Sequence, residues 1–446
     1  MAKLVTTLGV IVDPFWQRIR SSIPTLGRGA NVFFSVCEYV VVPVLYFAAT
    51  PILVRALSLD SYGIWMLVAS IVGVAGCLDI GLGDAMIRFV ALYRGHQDRS
   101  AIVRGVRSAL GVTFSPTICV GLVVGAGAPF LADRVFMIPL ELRDTAVSCI
   151  NLGAWLLMIR MVETIFSGTI RGYERYDLAA MVSIGIRAAT LFLSLVLAFQ
   201  GYGIYSILLA SVMVASCGLI VQGAIVRSLI EASPWKIELH RGELRAMLGF
   251  GVYAWLQTVA WTMFSYADRL LIGAFLGTSA LAVYSVCLQL AQPIHGAISA
   301  GFSVLFPGVS RRLGASGIHG LWDDSTSLIK VSVVGSLILA LPVFYFADTI
   351  LTVWMGREFM EQGTTLLRLL VGSSFVLGVQ VVPYFVLIGA GDIRFLSLVS
   401  VMGMGASLIA TTLMIPITGI TAAAYGRLVG NAVATVNFVR LKKIVS

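Results

Sequence analysis

Runs of about twenty apolar residues recur along this chain, and about twenty helical residues match the thickness of a bilayer's hydrocarbon core. They fall at approximately 30–54, 61–91, 106–131, 146–169, 178–199, 203–226, 246–272, 278–308, 326–347, 364–388, 394–415 and 418–440. Backbone in lipid must satisfy its own N–H and C=O groups, so a span is a helix or a strand of a closed barrel. Barrel strands are about half this length and alternate apolar with polar residues. No such alternation is present. With 58% hydrophobic and 12% charged residues, the chain lies far from soluble composition, which is about half apolar and about a quarter charged. The fold class is therefore an all-α polytopic membrane protein with twelve transmembrane helices.

The charges set an orientation. Twenty of the thirty-one Lys and Arg residues fall on loops of one side, among them Arg94, Arg99, Arg171, Arg175, Arg394 and Lys442. Four fall on the other side: Arg55, Arg134, Arg143 and Arg357. The basic side is cytoplasmic, so both termini are expected inside. The net charge of +9 thus belongs to membrane topology, and no nucleic-acid motif accompanies it. Residues 1–28 read as an interfacial cytoplasmic segment anchored by Phe15 and Trp16, since Asp13-Pro14 replaces a small-residue cleavage site. The six cysteines form no CxxC pair and lie in or beside apolar runs, where they serve as small buried side chains. No hydrolase, zincin or phosphate-loop motif is present, so the chain is not expected to be an enzyme.

A shift of 219 residues exposes an internal repeat. Leu57 to Trp65 (LSLDSYGIW) falls on Leu276 to Tyr284 (LGTSALAVY), and Tyr93-Arg94-Gly95 falls on Arg312-Leu313-Gly314. Arg171 to Arg175 falls on Ala390 to Arg394, and near that offset Phe130 to Asp133 matches Tyr345 to Asp348. Six spans precede the shift point and six follow, so the halves keep the same orientation and the repeat is parallel. The organisation expected is an N-terminal six-helix lobe at 29–226, a cytoplasmic linker at 227–245 and a C-terminal six-helix lobe at 246–446. Pro43, Pro116, Pro293, Pro342 and Pro383 interrupt spans, as in bent transporter helices, though membrane helices also tolerate proline without function.

Ionisable groups at membrane depth are costly and usually face a bundle interior or a wet cavity. The stretch Pro51 to Arg94 carries Asp79, Asp84 and Arg88 towards its cytoplasmic end. Asp84 and Arg88 share a helix face, and Arg160 lies three residues from Glu163. Asp268 and Arg269 are adjacent and so point apart. Glu38 and Asp79 have no local cation, which would raise their pKa and suit proton exchange. Arg88, Lys330 and Arg368 lie near span ends and can snorkel; Arg160, Arg187, Arg269 and Arg427 are deeper. His295, with Gln289 and Gln292 nearby, is either a cavity donor or a hydrogen-bonded structural histidine. Asn431 and Asn437 either join helices or line a cavity. For each charge the structural alternative is an interhelical pair.

The corner LVRALSLDSYGIWMLVASI and the LDIGLGDAMIRFVA that follows resemble the second-helix region of Wzx-type polysaccharide flippases. Tyr266 to Gly277 (YADRLLIGAFLG), Ile350 to Phe359 (ILTVWMGREF) and Gly389 to Arg394 (GAGDIR) are similar as well. The resemblance spans about residues 30 to 440. It places the chain with the MATE multidrug exporters and the lipid II flippase, and it implies two six-helix lobes in a V shape that open alternately. The implied substrate is an undecaprenyl-pyrophosphate-linked oligosaccharide, flipped from the cytoplasmic to the outer leaflet of a bacterial or archaeal cytoplasmic membrane. Polysaccharide polymerase and chain-length regulator are the implied protein partners. Proton or sodium is the implied coupling ion, and no other cofactor is expected. The lipid II flippase carries two further helices beyond the twelve expected here. Arg269, Arg427, Arg160, Arg88, His295 and Gln289 are the candidates for substrate binding. Asp79, Asp84, Glu38, Glu163 and Asp268 are the candidates for coupling or for fixing those arginines. The competing readings are a cation-coupled exporter of small molecules, which calls for an acidic cavity, and a non-transporting membrane scaffold.

Overall fold

The computed structural model describes residues 44–78, 81–236, 238–240, 242–243, 252–302 and 321–445. Glu38, Asp79 and the segment 1–28 lie outside them, as does the side chain of Asp84. Among the described residues there are helices and no strands. In chain order they are α1 (Val44–Leu57), α2 (Leu59–Ala75), α3 (Leu82–Gly95), α4 (Arg99–Phe130), α5 (Leu140–Gly172), α6 (Tyr176–Phe199) and α7 (Ile204–Ile230). Then come α8 (Val252–Phe302), α9 (Leu321–Tyr345), α10 (Ala347–Trp354), α11 (Arg357–Val379), α12 (Val381–Gly389), α13 (Ile393–Thr418), α14 (Ala422–Ala434) and α15 (Val436–Val445).

Among the described residues, eight stretches are long and apolar enough to cross a membrane. Two of them are long enough for two crossings each, Trp255–Phe302 and Ile393–Lys443, and each is broken by a glycine in the left-handed region, Gly277 and Gly419. With the shorter apolar helices α1 and α2, that arrangement accommodates twelve spans.

The repeat appears in the backbone itself. Ser58 (φ 74°, ψ 157°) breaks α1 from α2, and Gly277 (φ 86°, ψ 178°), 219 residues on, breaks α8. Met137 (φ 44°) and Gly356 (φ 110°) are also 219 apart. Gly201 (φ 79°) and Gly419 (φ 60°) are 218 apart, and Glu174 (φ 61°) and Gly391 (φ 83°) 217 apart. Positive φ is uncommon outside glycine, so four such coincidences mark equivalent corners. The matched aspartates behave alike too. Asp133 accepts from Arg143 at 2.6 and 2.8 Å, and Asp348 accepts from Arg368 at 2.8 Å. Arg368, expected to snorkel, is held by that aspartate and by the Phe344 carbonyl.

The chain divides into two compact units, and their boundary does not fall at mid-chain. One contains α3, most of α4 and α5 from Asn151, α6 and α7. Its core joins Met86, Phe89 and Val90 of α3 to Val106 and Leu110 of α4, Ile165 and Phe166 of α5, and Ile225 and Val226 of α7. The segment after α7 is fastened to it. Trp235 meets Phe166 edge-on with centroids 5.1 Å apart, Arg107 donates to Glu238 at 2.8 Å, and Arg104 donates to Glu243 at 2.6 Å. The expected linker therefore packs on α4 and α5 along this part of its length.

The other unit contains Thr50–Cys77, Gly127–Ile150 and the chain from Val252 onward. Here α2 lies against α8, and the two repeat corners meet. Asp60 accepts hydrogen bonds from the hydroxyls of Thr278, at 2.7 Å, and Ser279, at 2.5 Å. A Cβ on Gly63 would collide with the Thr278 carbonyl, so only glycine permits this approach. A second close approach, Gly403 to Gly430, draws α13 onto α14.

Candidate functional site: an arginine-bearing cavity beside α8

Within the second unit, α8 carries Asp268 and Arg269 at successive positions, about 100° apart on the helix. The adjacent pair indeed points apart. Asp268 is buried and turns to Arg427 of α14, 159 residues away in sequence. The Arg427 Nε donates to Asp268 Oδ2 at 2.6 Å and to the Tyr284 hydroxyl at 2.9 Å. Tyr284 donates to the same carboxylate oxygen. A further Arg427 nitrogen reaches the Phe264 carbonyl at 3.0 Å, and the guanidinium lies over the Phe264 ring at 4.8 Å. Asp268 Oδ1 caps its neighbour, accepting from the Arg269 backbone N–H at 2.7 Å. The cluster is closed: each charge is paired and hydrogen-bonded, as burial requires.

Arg269 is different. Its guanidinium sits 5.3 Å from the Tyr266 ring, and its Nε is buried with no hydrogen-bond partner among the described residues. It lines a cavity of about 490 Å³ together with Arg427, His295, Gln292, Trp261 and Ser373. A second cavity, of about 460 Å³, shares Trp261, Phe264, His295 and Leu377 with the first and adds Gln257, Gln380, Tyr384 and Asn437. No aspartate or glutamate lines either cavity among the described residues. The Asp268 charge is spent on Arg427, so the surplus cation at the walls is Arg269.

His295 lines both cavities and packs 5.6 Å from Trp261, in keeping with its reading as a cavity group. Gln289 does not join it. Its Oε1 accepts from the Thr50 hydroxyl at 3.0 Å, and it lines neither cavity. Its helical phase carries it to α1 instead. Arg160 and Glu163 belong to the other unit, where they pair at 3.5 Å as their spacing suggests. Gln222 of α7 donates to Glu163 at 3.2 Å. Arg88 belongs to that unit as well and is exposed. Asn431 both lines the second cavity and joins helices. Its side-chain amide donates to Ser373, and its backbone carbonyl accepts from Gln380 at 2.7 Å. Gln257, Gln380, Tyr384 and Tyr284 were not singled out for a site. Gln380 left a visible signal, a lone amide inside the apolar run FVLGVQVVPYF.

The helical fold around these cavities is that of the MATE transporters. An inward-facing multidrug MATE transporter of the MOP superfamily aligns over 90% of this chain and 94% of its own length, with a TM-score of 0.76 and 14% identity. A MOP superfamily transporter of Pyrococcus furiosus aligns over 93% of this chain and 95% of its own length, with a TM-score of 0.66 and 14% identity. The chain belongs to the polysaccharide biosynthesis protein family, whose model matches residues 29–312. The MatE family model also matches, over residues 254–413. A Shigella flexneri protein named "Putative O-antigen transporter" is 21% identical over 409 residues, covering 88% of each chain. The likeness to Wzx-type flippases of the MOP superfamily, first seen in the corner motifs, is thus carried by family, relative and fold together. The chain is a multi-pass membrane transporter of that superfamily.

Proposed function

We propose that this chain flips an oligosaccharide carried on a polyprenyl diphosphate lipid from the cytoplasmic to the outer leaflet by alternating access. The carrying observation is the sign of the cavity: Arg269 at the wall with an unsatisfied Nε, and no carboxylate lining it among the described residues. A phosphate-bearing head cannot cross hydrocarbon unaided, because ions at the bilayer centre cost several kcal/mol at least, about 3 even on the mildest scale. A guanidinium replaces lost water with charge-assisted, planar hydrogen bonds that suit phosphate. Membership of a polysaccharide biosynthesis family and the Shigella flexneri relative's name support that substrate class. In this reading the protein works in a cytoplasmic membrane with both termini inside, its repeat halves act as two six-helix lobes, and proton or sodium entry drives the cycle. Export of organic cations is the weaker reading, since cationic walls repel them. The polymerase and the chain-length regulator are the proteins that would receive the flipped lipid.

The test is transport in sealed inverted membrane vesicles, following loss of a lipid-linked oligosaccharide from the outer face to the protected lumen. The unaltered protein moves it, and Arg269→Ala lowers the rate at least tenfold, about 1.4 kcal/mol, while keeping the folded protein. Normal rates in that variant remove Arg269 from the mechanism. No lipid movement by the unaltered protein, with uptake of cationic dyes instead, overturns the reading.

A further inference from the structure

The two adjoining cavities differ in the polar atoms they leave unsatisfied. In the arginine-bearing cavity the unpartnered group is a donor, Arg269 Nε. In its neighbour the unpartnered groups are acceptors, Gln257 Oε1 and Asn437 Oδ1, both buried and without a partner among the described residues. Asn437 as a whole is only 6% exposed. Buried polar atoms are almost always hydrogen-bonded, so an orphan at a cavity wall calls for a partner that the chain does not supply, a water or a ligand atom. A donor calls for a phosphate oxygen. Two amide acceptors call for O–H or N–H donors.

The rest of the second cavity fits the same ligand. Trp261, Phe264, Tyr384 and Phe385 supply aromatic surface. No Lys, Arg, Asp or Glu lines it among the described residues. A pyranose ring presents an apolar C–H face for aromatic groups and a rim of hydroxyls for amides, and this cavity offers both. The walls shared with the arginine cavity, Trp261, Phe264 and His295, put the two recognition chemistries side by side.

We infer that the amide-and-aromatic cavity beside Arg269 is a subsite for an uncharged sugar, the one attached directly to the lipid's diphosphate. The inference rests on the flippase reading and sharpens it: it names the charge class of the first sugar. An acidic sugar would bring a carboxylate to Gln257 Oε1 and Asn437 Oδ1, acceptor against acceptor, with no cation among the described lining residues to neutralise it.

The experiment measures binding to the full-length protein in nanodiscs with three probes. They are polyprenyl diphosphate alone, polyprenyl diphosphate bearing N-acetylglucosamine, and polyprenyl diphosphate bearing glucuronic acid. The neutral glycolipid gains two hydrogen bonds and is expected to bind about thirtyfold tighter than the bare diphosphate, about 2 kcal/mol. The acidic glycolipid gains nothing. Gln257→Leu and Asn437→Leu bring the neutral-to-bare affinity ratio towards one, and the isosteric Asn437→Asp, which keeps an acceptor in place, retains the preference for the neutral sugar. Arg269→Ala weakens all three probes together. Binding of the bare diphosphate with no gain from the neutral sugar overturns this inference alone, and so does a ratio unmoved by the Leu variants. Failure of the bare diphosphate to bind overturns the flippase reading and the inference with it.

Discussion

In the unit built on α8, Asp268, Tyr284 and Arg427 are each less than a tenth exposed and satisfy one another across helices far apart in sequence. In the unit built on α3, Arg160 keeps 47% of its side-chain surface exposed while meeting Glu163 at 3.5 Å, one turn along the same helix. The first arrangement locks α8 to α14. The second pair by itself joins no two helices, because both partners ride on α5, and the tie to α7 is the separate Gln222–Glu163 hydrogen bond. What joins helices in that unit is apolar packing, Met86, Val106, Phe166 and Val226 among it. Two ion pairs of similar chemistry thus do different things: one is a joint between helices, the other a partly exposed contact within one helix.

That contrast can be broken by mutation. Asp268→Ala strands a buried guanidinium, and losing one partner of a buried pair costs about 3–5 kcal/mol. Thermal unfolding in detergent should show the largest drop of any single variant here, and Asp268→Leu combined with Arg427→Met should recover most of it. An unchanged melting temperature for Asp268→Ala would mean the joint bears no weight. Gly63→Ala forces α2 off the Thr278 carbonyl, an overpacking cost of about 1–3 kcal/mol. The same melts read it. Arg160→Ala should cost under about 1 kcal/mol, and a double-mutant cycle with Glu163→Gln should return a coupling of about 0.2–1 kcal/mol. A coupling as large as that of the α8 pair would erase the contrast.

The smallest effect concerns pH. The Arg107 guanidinium bonded to Glu238 holds that carboxyl below its usual range, and Arg104 does the same for Glu243. A depressed carboxyl stabilises the docked segment at pH above its ordinary value, about 4.3. The contribution fades as pH falls through the lower folded value. Hydrogen exchange at the segment after α7, corrected for intrinsic pH dependence, should lose protection below about pH 4. Arg107→Gln should weaken that pH dependence and Arg104→Gln with Arg107→Gln should abolish it; dependence retained in the double variant would assign it elsewhere.

Much of the fold was legible because membrane physics is simple at one dimension. Span length follows from bilayer thickness, and Ser58 and Gly277 could be matched by their neighbours before their backbone angles were known. Local pairs such as Arg160 with Glu163 were legible by spacing. The site was legible only in part. Arg269, Arg427, Asp268 and His295 announced themselves as polar groups in apolar runs and do gather around one pair of cavities. Which arginine Asp268 would choose could not be read, since 159 residues separate it from Arg427. Gln289 misled because its helical phase sends it towards Thr50 of α1 rather than to the cavity. Gln257 and Tyr384 went unnoticed because single amides and tyrosines are ordinary near span ends. Only the packed helices distinguish an orphaned acceptor from a satisfied one.

The meeting of Asp60 with Thr278 and Ser279 has a consequence for biosynthesis. Asp60 leaves the ribosome 218 residues before Thr278 does. At roughly 5–20 residues per second that is an interval of about 10–40 s. Through that wait α2 has neither the hydroxyls that satisfy its aspartate nor the carbonyl that its Gly63 is shaped to admit. The newborn N-terminal helices must therefore be kept apart from wrong partners until their own distant repeat arrives, which makes assembly, more than stability, the step that a crowded membrane can most easily derail.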